Sequence, residues 1–300
     1  MAKYLNLKPV EFDKLSAKRR AAVQWPGRIL LPKYDGCFAM VLLKDGQPAG
    51  ILSRDGNAVK SMDHIYEDLT LRYPWLTEAG VNVAVLGEAW VPSYTFAEIS
   101  GAFRRQRSQP GLGFAPFDIV TWVGDAAEPQ LSSDTIYANR LSRLASARTV
   151  TCMVFPPVPH VCEDEAQALR YAQNLKSMGG YDGAIASDPG AIYVVSDGVG
   201  EFLKVKPLQT FSLKVLRLET GIGEKTGKAT GSLVVRFKSG ECGVGTGFDS
   251  ETLAGWIADP ASIEGKIIEV ACMDVYPGEA GMMREPRYMG MRHDVIKEDY

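Results

Sequence analysis

Runs of apolar residues predict a mixed α+β protein up to about Pro207. Runs rich in Val, Ile, Leu and aromatic residues between Gly, Pro or Asp are typical of β-strands, whereas apolar residues three and four positions apart are typical of helices. Strands are predicted at 29–31, 37–43, 48–52, 81–91, 114–120, 181–186, 191–195 and 201–207. Helices are predicted at 10–22, 61–74, 137–147 and 163–178, with another beginning at the capping-box sequence Thr95-Phe96-Ala97-Glu98.

The pattern changes after Pro207. Short strands are predicted at 211–218, 232–237, 242–244 and 266–275, together with one small helix at 251–257 and several glycine-rich turns. Short strands in close succession are typical of a small β-barrel, and the OB-fold is the leading candidate. We therefore predict two domains, 1–207 and 208–300.

The segment Lys33-Tyr34-Asp35-Gly36 lies between two apolar runs, which places a lysine where the chain turns from one strand to the next. A lysine amine is a nucleophile only in its neutral form, so it needs burial or neighbours that favour loss of the proton. Asp35 can orient a ligand beside the lysine, and Gly36 allows the backbone to approach a ligand closely. The segment predicts a nucleophilic lysine, although so short a pattern is unspecific by itself.

Charged residues in two other predicted strands indicate a binding site. Glu88 interrupts the apolar run 81–91, which costs free energy unless the carboxylate has a partner or lies at an exposed edge. Lys204 and Lys206 alternate with apolar residues, so both amines leave the same face of a strand. Two like charges on one face repel each other unless an anion lies between them.

Three arginines, Arg104, Arg105 and Arg107, follow the helix that begins at the capping box. Such a group is most often a solvated helix end. The alternative is a patch that grips phosphate groups, because the guanidinium fork matches phosphate oxygens.

Composition narrows the classes of function. The 300-residue chain is 46% hydrophobic and carries a net charge of −3, so any nucleic-acid surface must be a local patch. Its five cysteines lack the spacing of a metal site, which predicts free thiols in a reducing compartment and no zinc. We find no signal peptide and no apolar run of membrane-spanning length. We expect a soluble, cytoplasmic monomer without a membrane partner.

Taken in order, these segments resemble the motifs of ATP-dependent DNA ligases, and specifically the small two-domain, phage-type members of the covalent nucleotidyltransferase superfamily. Six segments of the predicted first domain resemble motifs of this family: Lys33-Tyr34-Asp35-Gly36, Ser53-Arg54, Gly87-Glu88, Phe117-Asp118, Asp182-Gly183 and Lys204-Val205-Lys206. Toward the end of the chain, 231–233 and 244–248 resemble the ligase OB domain, and 284–294 resembles the closing sixth motif. The resemblance covers nearly the whole chain with the motif order preserved.

This resemblance implies a nucleotidyltransferase domain of ATP-grasp-like antiparallel sheets with helices, followed by a small OB-fold β-barrel. It implies that Lys33 takes up AMP, that Glu88 binds the ribose and that Phe117 stacks on adenine. Lys204 and Lys206 would hold the α-phosphate. The implied nucleotide site also includes Leu31, Pro32, Asp35, Gly36, Arg54, Arg284, Arg287, Arg292 and Asp294.

The implied cofactors are ATP and Mg²⁺, with Asp182 and Glu88 as metal ligands. Two positions depart from the usual motifs, since Phe38 stands where an arginine is usual and Asp182 where a glutamate is usual. The shorter carboxylate of Asp182 must sit closer to a metal ion or reach it through water.

The implied substrate is nicked duplex DNA. Lys33 would attack the α-phosphorus of ATP and release pyrophosphate, AMP would move to the 5′-phosphate of the nick, and a 3′-hydroxyl would then displace AMP. The barrel and the patch of Arg104, Arg105 and Arg107 would hold the duplex from opposite sides through its phosphates, without sequence preference. If a phage encodes the protein, it acts in the cytoplasm of the host cell.

Four alternatives remain at this point. A GTP-dependent mRNA-capping enzyme shares the lysine chemistry and a barrel, but 244–248 and the arginine-rich tail favour a ligase. Most RNA ligases lack such a barrel. An NAD-dependent ligase needs a further N-terminal module, for which about thirty residues before Lys33 leave no room. The non-enzymatic alternative is a nucleic-acid-binding homologue with an inactive transferase domain.

Overall fold

The computed structural model describes residues 7–146, 153–195, 197–222, 227, 229–272, 274–275 and 282–300. The chain divides into two compact units, which we call the first unit (Met1–Lys206) and the second unit (Pro207–Tyr300). Each unit has its own buried apolar cluster, as expected for parts of a chain that fold around separate cores.

The first unit is built from ten strands and five α-helices within its described residues. The strands are β1 Lys8–Glu11, β2 Ile29–Tyr34, β3 Cys37–Lys44, β4 Gln47–Ser53, β5 Val83–Trp90, β6 Gly113–Val123, β7 Gln130–Ser132, β8 His160–Val161, β9 Tyr181–Ser187 and β10 Asp197–Val205. The helices are α1 Ala17–Ala21, α2 Ile65–Arg72, α3 Phe96–Phe103, α4 Tyr137–Ala145 and α5 Glu165–Met178.

These strands form two five-stranded sheets. One has the order β1-β10-β9-β2-β8, in which β1 and β10 are parallel and the other neighbours antiparallel, and the second has the antiparallel order β4-β3-β5-β6-β7. Because β2 belongs to one sheet and β3 to the other, the chain crosses between the sheets at Asp35-Gly36. The predicted pair of strands is confirmed, but Lys33 lies within β2, two residues before the crossing. This crossing places the end of β2 beside both sheets.

Strand β3 explains why a continuous apolar run follows Gly36. Ala39, Val41 and Leu43 pack with α2 and α3 on one face, whereas Met40 and Leu42 pack on the other face with residues such as Trp122. A strand buried on both faces cannot alternate between polar and apolar residues. Each fully buried leucine or isoleucine in such a core contributes about 1.5–3 kcal/mol relative to exposure.

Two of the predicted elements are wrong. Instead of a helix over 10–22, the structure has β1, which pairs with β10, and an α-helix only at Ala17–Ala21. The predicted strand 191–195 forms just one isolated bridge, between Tyr193 and Ser133, within the described residues. Its side chains alternate between buried and exposed, so this loop imitates the pattern of a strand.

Within its described residues, the second unit contains a five-stranded antiparallel sheet of order β13-β12-β11-β14-β17, a two-stranded ladder of β15 and β16, and one α-helix. Its elements are β11 Gln209–Ile222, β12 Ala229–Phe237, β13 Gly240–Val244, α6 Ser250–Ala258, β14 Ile267–Cys272, β15 Asp274–Val275, β16 Met283–Arg284 and β17 Arg287–Met291. Helix α6 contributes the buried Leu253 and Trp256. The predicted series of short strands with one helix is confirmed, whereas the OB-fold remains a prediction.

Two expectations from composition can be compared with the described residues. None of the helices there is both long and apolar enough to cross a membrane. Cys37, Cys162 and Cys242 carry free thiols, and Cys152 lies outside the described residues.

Candidate active site

A cavity of about 310 Å³ lies in the first unit and is lined by residues from both sheets. The first sheet contributes its floor through β2, β9 and β10, and the second contributes the opposite wall through β3, β5 and β6. Among the lining residues are Leu31, Pro32, Lys33, Phe38, Arg54, Leu86, Glu88, Phe117, Asp118, Tyr137, Ile185, Ser187, Tyr193, Phe202, Lys204 and Lys206. The structure thus brings together predicted site residues from β2, β5, β6 and β10 and from the loop after β4.

The pairing register of β2, β9 and β10 shows which of their side chains lie near Lys33 and which lie further into the cavity. Leu31, Ile185 and Lys204 are level with one another, and Ser187 and Phe202 form the next row inward. These residues line the cavity because side chains two positions apart share one face of a strand. The cavity is therefore charged at the end of β2 where Lys33 lies and mainly apolar further in.

Lys33 and Lys206 share one carboxylate at the charged end. The Asp182 Oδ2 atom lies 2.7 Å from the Lys33 Nζ and 3.0 Å from the Lys206 Nζ. Burial alone would raise the pKa of Asp182, but the two ammonium groups outweigh it and lower that pKa. Asp182 is thus an anion that fixes both amines.

Lys204 adds a further positive charge at the same end. Burial lowers its pKa, and the neighbouring cations Lys33 and Lys206 act in the same direction, while Glu11 opposes them. A cluster in which cations outnumber the carboxylate between them favours an anionic ligand. A phosphate group is the ligand that matches this charge.

Gly183, which follows Asp182, is needed for this arrangement. Its φ is +118°, and an added Cβ would lie 2.4 Å from the Val205 carbonyl oxygen. Only glycine tolerates both the backbone conformation and the close approach of β9 to β10. This close approach brings the Asp182 carboxylate to the lysine that follows β10.

Glu88 lies in the middle strand of the second sheet, so an exposed edge does not explain it. Its Oε1 atom is 3.9 Å from an Arg54 nitrogen, and its Oε2 atom is buried without a hydrogen-bond partner among the described residues. Burial raises the pKa of Glu88 to about 7, although Arg54 and Lys33 lower it. An unpaired buried oxygen on a cavity wall is placed to accept a hydrogen bond from a ligand.

Phe117 and Phe38 lie on the same wall, with ring centroids 6.3 Å apart. The Arg54 guanidinium lies 5.5 Å from the centre of the Phe38 ring, within the range of a cation–π contact. Phe38, which departs from the family motif, therefore positions Arg54 from one side. The Phe117 ring is a flat apolar surface on which a base can stack.

Buried polar contacts fix the backbone around Phe117. The Tyr137 hydroxyl donates to the Phe117 carbonyl oxygen at 3.0 Å. Arg140 donates to both carboxylate oxygens of Asp118, at 2.8 and 3.0 Å. Burial raises the pKa of Asp118 despite this pairing. The buried bidentate pair of Arg140 and Asp118 holds this part of β6 in one conformation, which fixes the position of the neighbouring Phe117.

Of the predicted nucleotide-binding residues in the first unit, Asp35 and Gly36 do not line the cavity. The Asp35 N–H donates to the Gly180 carbonyl oxygen at 3.0 Å. A Cβ at Gly36 would lie 2.3 Å from the Ala89 carbonyl oxygen, so this glycine is required by a neighbouring strand. Glycine is therefore required at position 36 by the close approach of β5, and not by the approach of a ligand.

Several lining residues escaped the sequence analysis. Leu7, Tyr137, Ile185, Ser187, Tyr193 and Phe202 carry no functional signature. Alternation within β9 and β10 could have indicated Ile185 and Phe202, because each shares a strand face with a motif residue. Leu7 and Tyr193 meet only through the fold, where the Leu7 N–H donates to the Tyr193 hydroxyl at 3.1 Å.

The three arginines lie at and beyond the end of α3, where all are exposed. Arg104 caps the helix, and Arg104 and Arg105 line an open groove that also reaches Lys60, Arg54 and Phe38. Arg107 does not line this groove. The groove adjoins the cavity through the two residues that line both, Arg54 and Phe38.

The predicted residues near the C-terminus belong to the second unit. Arg292 donates to both carboxylate oxygens of Asp294, at 2.8 and 2.9 Å, and hydrogen bonding to Arg292 lowers the pKa of Asp294 to about 2. Arg287 lies 3.8 Å from Glu285. Arg284 lies in β16 and is exposed. Their roles toward a nucleotide stay predictions.

Within the described ranges, His, Cys, Asp and Glu side chains form no group of three or more that could hold a metal ion by itself. Glu88 lines the cavity, and Asp182, which does not itself line it, contacts the lining amines of Lys33 and Lys206. Mg²⁺ in phosphate-transfer sites is commonly held by one or two carboxylates together with substrate phosphates and water. The two carboxylates fit such a shared site, and they do not form a metal site made of protein ligands alone.

No protein-family model matches the chain. Among curated proteins, a probable DNA ligase from Mycobacterium sp. (strain KMS) is 26% identical over 197 residues, which are 59% of this chain and 35% of that protein. The chain therefore spans about a third of the length of the curated relatives it matches.

Solved structures share the fold over almost the whole chain. A chain named Pmar-Lig_Pre has a TM-score of 0.67 and 17% identity, and the match covers 97% of this chain and 68% of that one. A structure from a study of Lig E DNA ligases has a TM-score of 0.59 and 18% identity, with 95% of this chain and 100% of that one covered. The sequence match over 59% of the chain agrees with the resemblance to DNA ligases, and the structural matches show the same fold.

Proposed function

We propose that this chain is an ATP-dependent DNA ligase that seals nicks in duplex DNA through an AMP adduct on Lys33. The observation that carries the proposal is the cluster of Lys33, Lys206 and Asp182 at the mouth of a mainly apolar cavity, with Lys204 beside it. A nucleotide requires this combination of a cationic end for phosphate and an apolar interior for the base. The matches to ligases in sequence and fold support the same conclusion.

In the first reaction, the Lys33 nitrogen would form a bond to the α-phosphorus of ATP while the bond to the bridging oxygen breaks. Before the attack, the Lys33 ammonium gives one proton to solvent, which frees the lone pair. Pyrophosphate leaves with the electron pair of the broken bond, and the nitrogen loses its second proton to solvent as the phosphoramidate forms. Asp182 holds the Lys33 amine in place through its 2.7 Å contact. Phosphoryl transfer depends mainly on positioning and on neutralising charge, which Lys204 and Lys206 would supply.

The other cavity residues would bind the base and the ribose of the nucleotide. The base would stack on Phe117, and a ribose hydroxyl would donate to the unpaired Oε2 atom of Glu88. Leu31 would contact the nucleoside from the floor. Asp182 and Glu88 would share Mg²⁺ with the phosphates, and the metal would neutralise charge on the phosphate oxygens when bound.

In the later reactions, an oxygen of the 5′-phosphate at a nick would displace Lys33 from AMP, and the 3′-hydroxyl would then displace AMP from the DNA. Arg104, Arg105 and Arg107 would grip phosphates of the duplex, which is supported by the cationic groove that continues from Arg54. Duplex binding of this kind is insensitive to sequence and weakens with salt.

We further propose that 1–207 is the adenylyltransferase domain and that 208–300 is an OB-fold domain. Arg284, Arg287, Arg292 and Asp294 would then assist chiefly the release of pyrophosphate. The antiparallel five-stranded sheet of the second unit supports this assignment.

The proposal is tested by incubating the protein with labelled ATP or GTP and Mg²⁺, followed by denaturing electrophoresis. We expect a labelled adduct with ATP and joining of a nicked duplex. An adduct formed with GTP alone would support a capping-type enzyme, and joining of nicked RNA alone would support an RNA ligase. Absence of an adduct with either nucleotide would leave the inactive nucleic-acid-binding homologue.

A further inference from the structure

The closed end of the cavity contains a polar atom that the proposed function does not use. Ser187 is fully buried and lines the cavity; the Tyr137 hydroxyl is a hydrogen-bonding neighbour, but no hydrogen bond of full geometry satisfies the Ser187 oxygen among the described residues. A buried hydroxyl that is not fully hydrogen-bonded costs free energy, so its retention in an apolar cavity indicates a ligand atom that completes it.

The strand register sets the depth of this hydroxyl. Ser187 is opposite Ile29, four residues along β2 from Lys33. At the usual rise of a strand, four residues correspond to about 13 Å. A phosphate bound at Lys33 therefore directs the attached nucleoside away from the charged end and toward Ser187.

The apolar residues around Ser187 fit a purine ring. Phe202 is level with it on β10, and Leu31 and Ile185 form the row between Ser187 and the charged end. Phe117 lines the opposite wall. A purine is joined to its ribose through the five-membered ring, so the six-membered ring enters deepest. Its Watson–Crick edge then faces the Ser187 hydroxyl.

Tyr137 leaves this hydroxyl available. The Tyr137 proton is donated to the Phe117 carbonyl oxygen at 3.0 Å, so toward Ser187 the tyrosine oxygen can only accept a hydrogen bond. The Ser187 oxygen can therefore accept from a ligand amine while its proton points to Tyr137, or the hydroxyl can turn and donate to a ring nitrogen.

We propose that the Ser187 hydroxyl forms a hydrogen bond to the Watson–Crick edge of the adenine, a specificity contact that rests on the proposed function. Two atoms of that edge suit it: the 6-amino group as a donor, and N1 as an acceptor. Glu88 and Ser187 then mark the two ends of the nucleoside, with the ribose contact near Lys33 and the base contact at the closed end.

The test compares ATP with two analogues, purine riboside 5′-triphosphate, which lacks the 6-amino group, and 1-deazaadenosine 5′-triphosphate, which lacks N1. For each nucleotide we would measure the concentration that gives half-maximal adduct formation on wild type and Ser187→Ala. With ATP, Ser187→Ala should raise this concentration about tenfold, because a buried polar atom of the base loses its partner. With the analogue that lacks the bonded atom, the rise should fall below about twofold.

Ser61→Ala is the matched control. Ser61 is also fully buried in the first unit, but its hydroxyl donates to the Phe103 carbonyl oxygen and is not among the cavity-lining residues. Its replacement should affect all three nucleotides equally. Because each ratio compares nucleotides on one protein, a smaller folded fraction cancels.

An equal rise with all three nucleotides, or no rise with ATP, would overturn the role of Ser187 while leaving the ligase proposal standing. Failure of the wild-type protein to form an adduct with ATP would overturn both proposals.

Discussion

Replacing Glu88 by glutamine is expected to stabilise the protein above pH 7 and to weaken nucleotide binding there. Burial raises the pKa of Glu88 from 4.5 to about 7, and the neighbouring Asp35 acts in the same direction, against Arg54 and Lys33. Below pH 4.5 the carboxyl group is protonated in both the folded and the unfolded chain. Between pH 4.5 and about 7 only the unfolded chain loses the proton, so the stability that Glu88 contributes falls as the pH rises through this window.

The size of the effect follows from the two pKa values. A tenfold change in an equilibrium is worth about 1.4 kcal/mol, so the difference between 4.5 and about 7 corresponds to about 3 kcal/mol. Glutamine keeps nearly the same shape without an ionisable group. For a chain of this size, a gain of about 3 kcal/mol raises the melting temperature by roughly 6–12 °C.

The assay is thermal unfolding of wild type and Glu88→Gln at pH 5 and pH 8, combined with ATP titration at both values. The stability gap in favour of Glu88→Gln should widen toward pH 8. ATP affinity should fall about tenfold at pH 8 and less at pH 5, because an ionised acceptor forms the stronger hydrogen bond. A stability gap that stays constant with pH would refute the reasoning about burial. Unchanged ATP affinity at pH 8 would refute the ribose contact.

Two further predictions concern the charged groups. Asp182→Asn should slow adduct formation about tenfold or more, because the variant loses the carboxylate shared by Lys33 and Lys206. Asp182→Glu keeps a carboxylate and should retain activity. Full activity of Asp182→Asn would contradict the role of Asp182 in holding the two amines. Since the pKa of Asp182 is lowered in the folded protein, the stability advantage of wild type over Asp182→Asn should be present above about pH 4 and vanish as the pH falls through the lowered value. Replacing Arg104, Arg105 and Arg107 by alanine should reduce the salt dependence of nick binding by about one unit of slope for each phosphate that is no longer neutralised, with adduct formation unchanged. An unchanged slope would identify these arginines as a solvated helix end.

The charged end of the cavity could be predicted from the sequence because its residues stand out in short local patterns. Lys33 lies between two apolar runs, Lys204 and Lys206 alternate along one strand, and Glu88 interrupts an apolar strand. Each of these patterns is short in sequence and unusual for a surface. The structure brings these residues to one cavity, together with Asp182 at its charged end.

The closed end of the site could not be predicted, because its residues are ordinary in their local sequence. Ser187 ends an apolar strand, and Tyr137 begins an amphipathic helix. They become neighbours only through strand register and helix packing. The loop 191–195 shows the same limit, since tertiary packing of Tyr193 produces an alternation that a local pattern attributes to a strand.

The role of Lys33 as the nucleophile is tested by Lys33→Ala, with Lys44→Ala as the control at an exposed lysine that is not part of the cavity lining. Both variants would be incubated with labelled ATP and Mg²⁺ and then assayed for joining of an ordinary nick and of a nick that already carries 5′-AMP. We expect that Lys33→Ala forms no adduct and fails on the ordinary nick, yet still joins the adenylylated nick, while Lys44→Ala behaves as wild type. A labelled adduct on Lys33→Ala would place the nucleophile elsewhere and contradict the account.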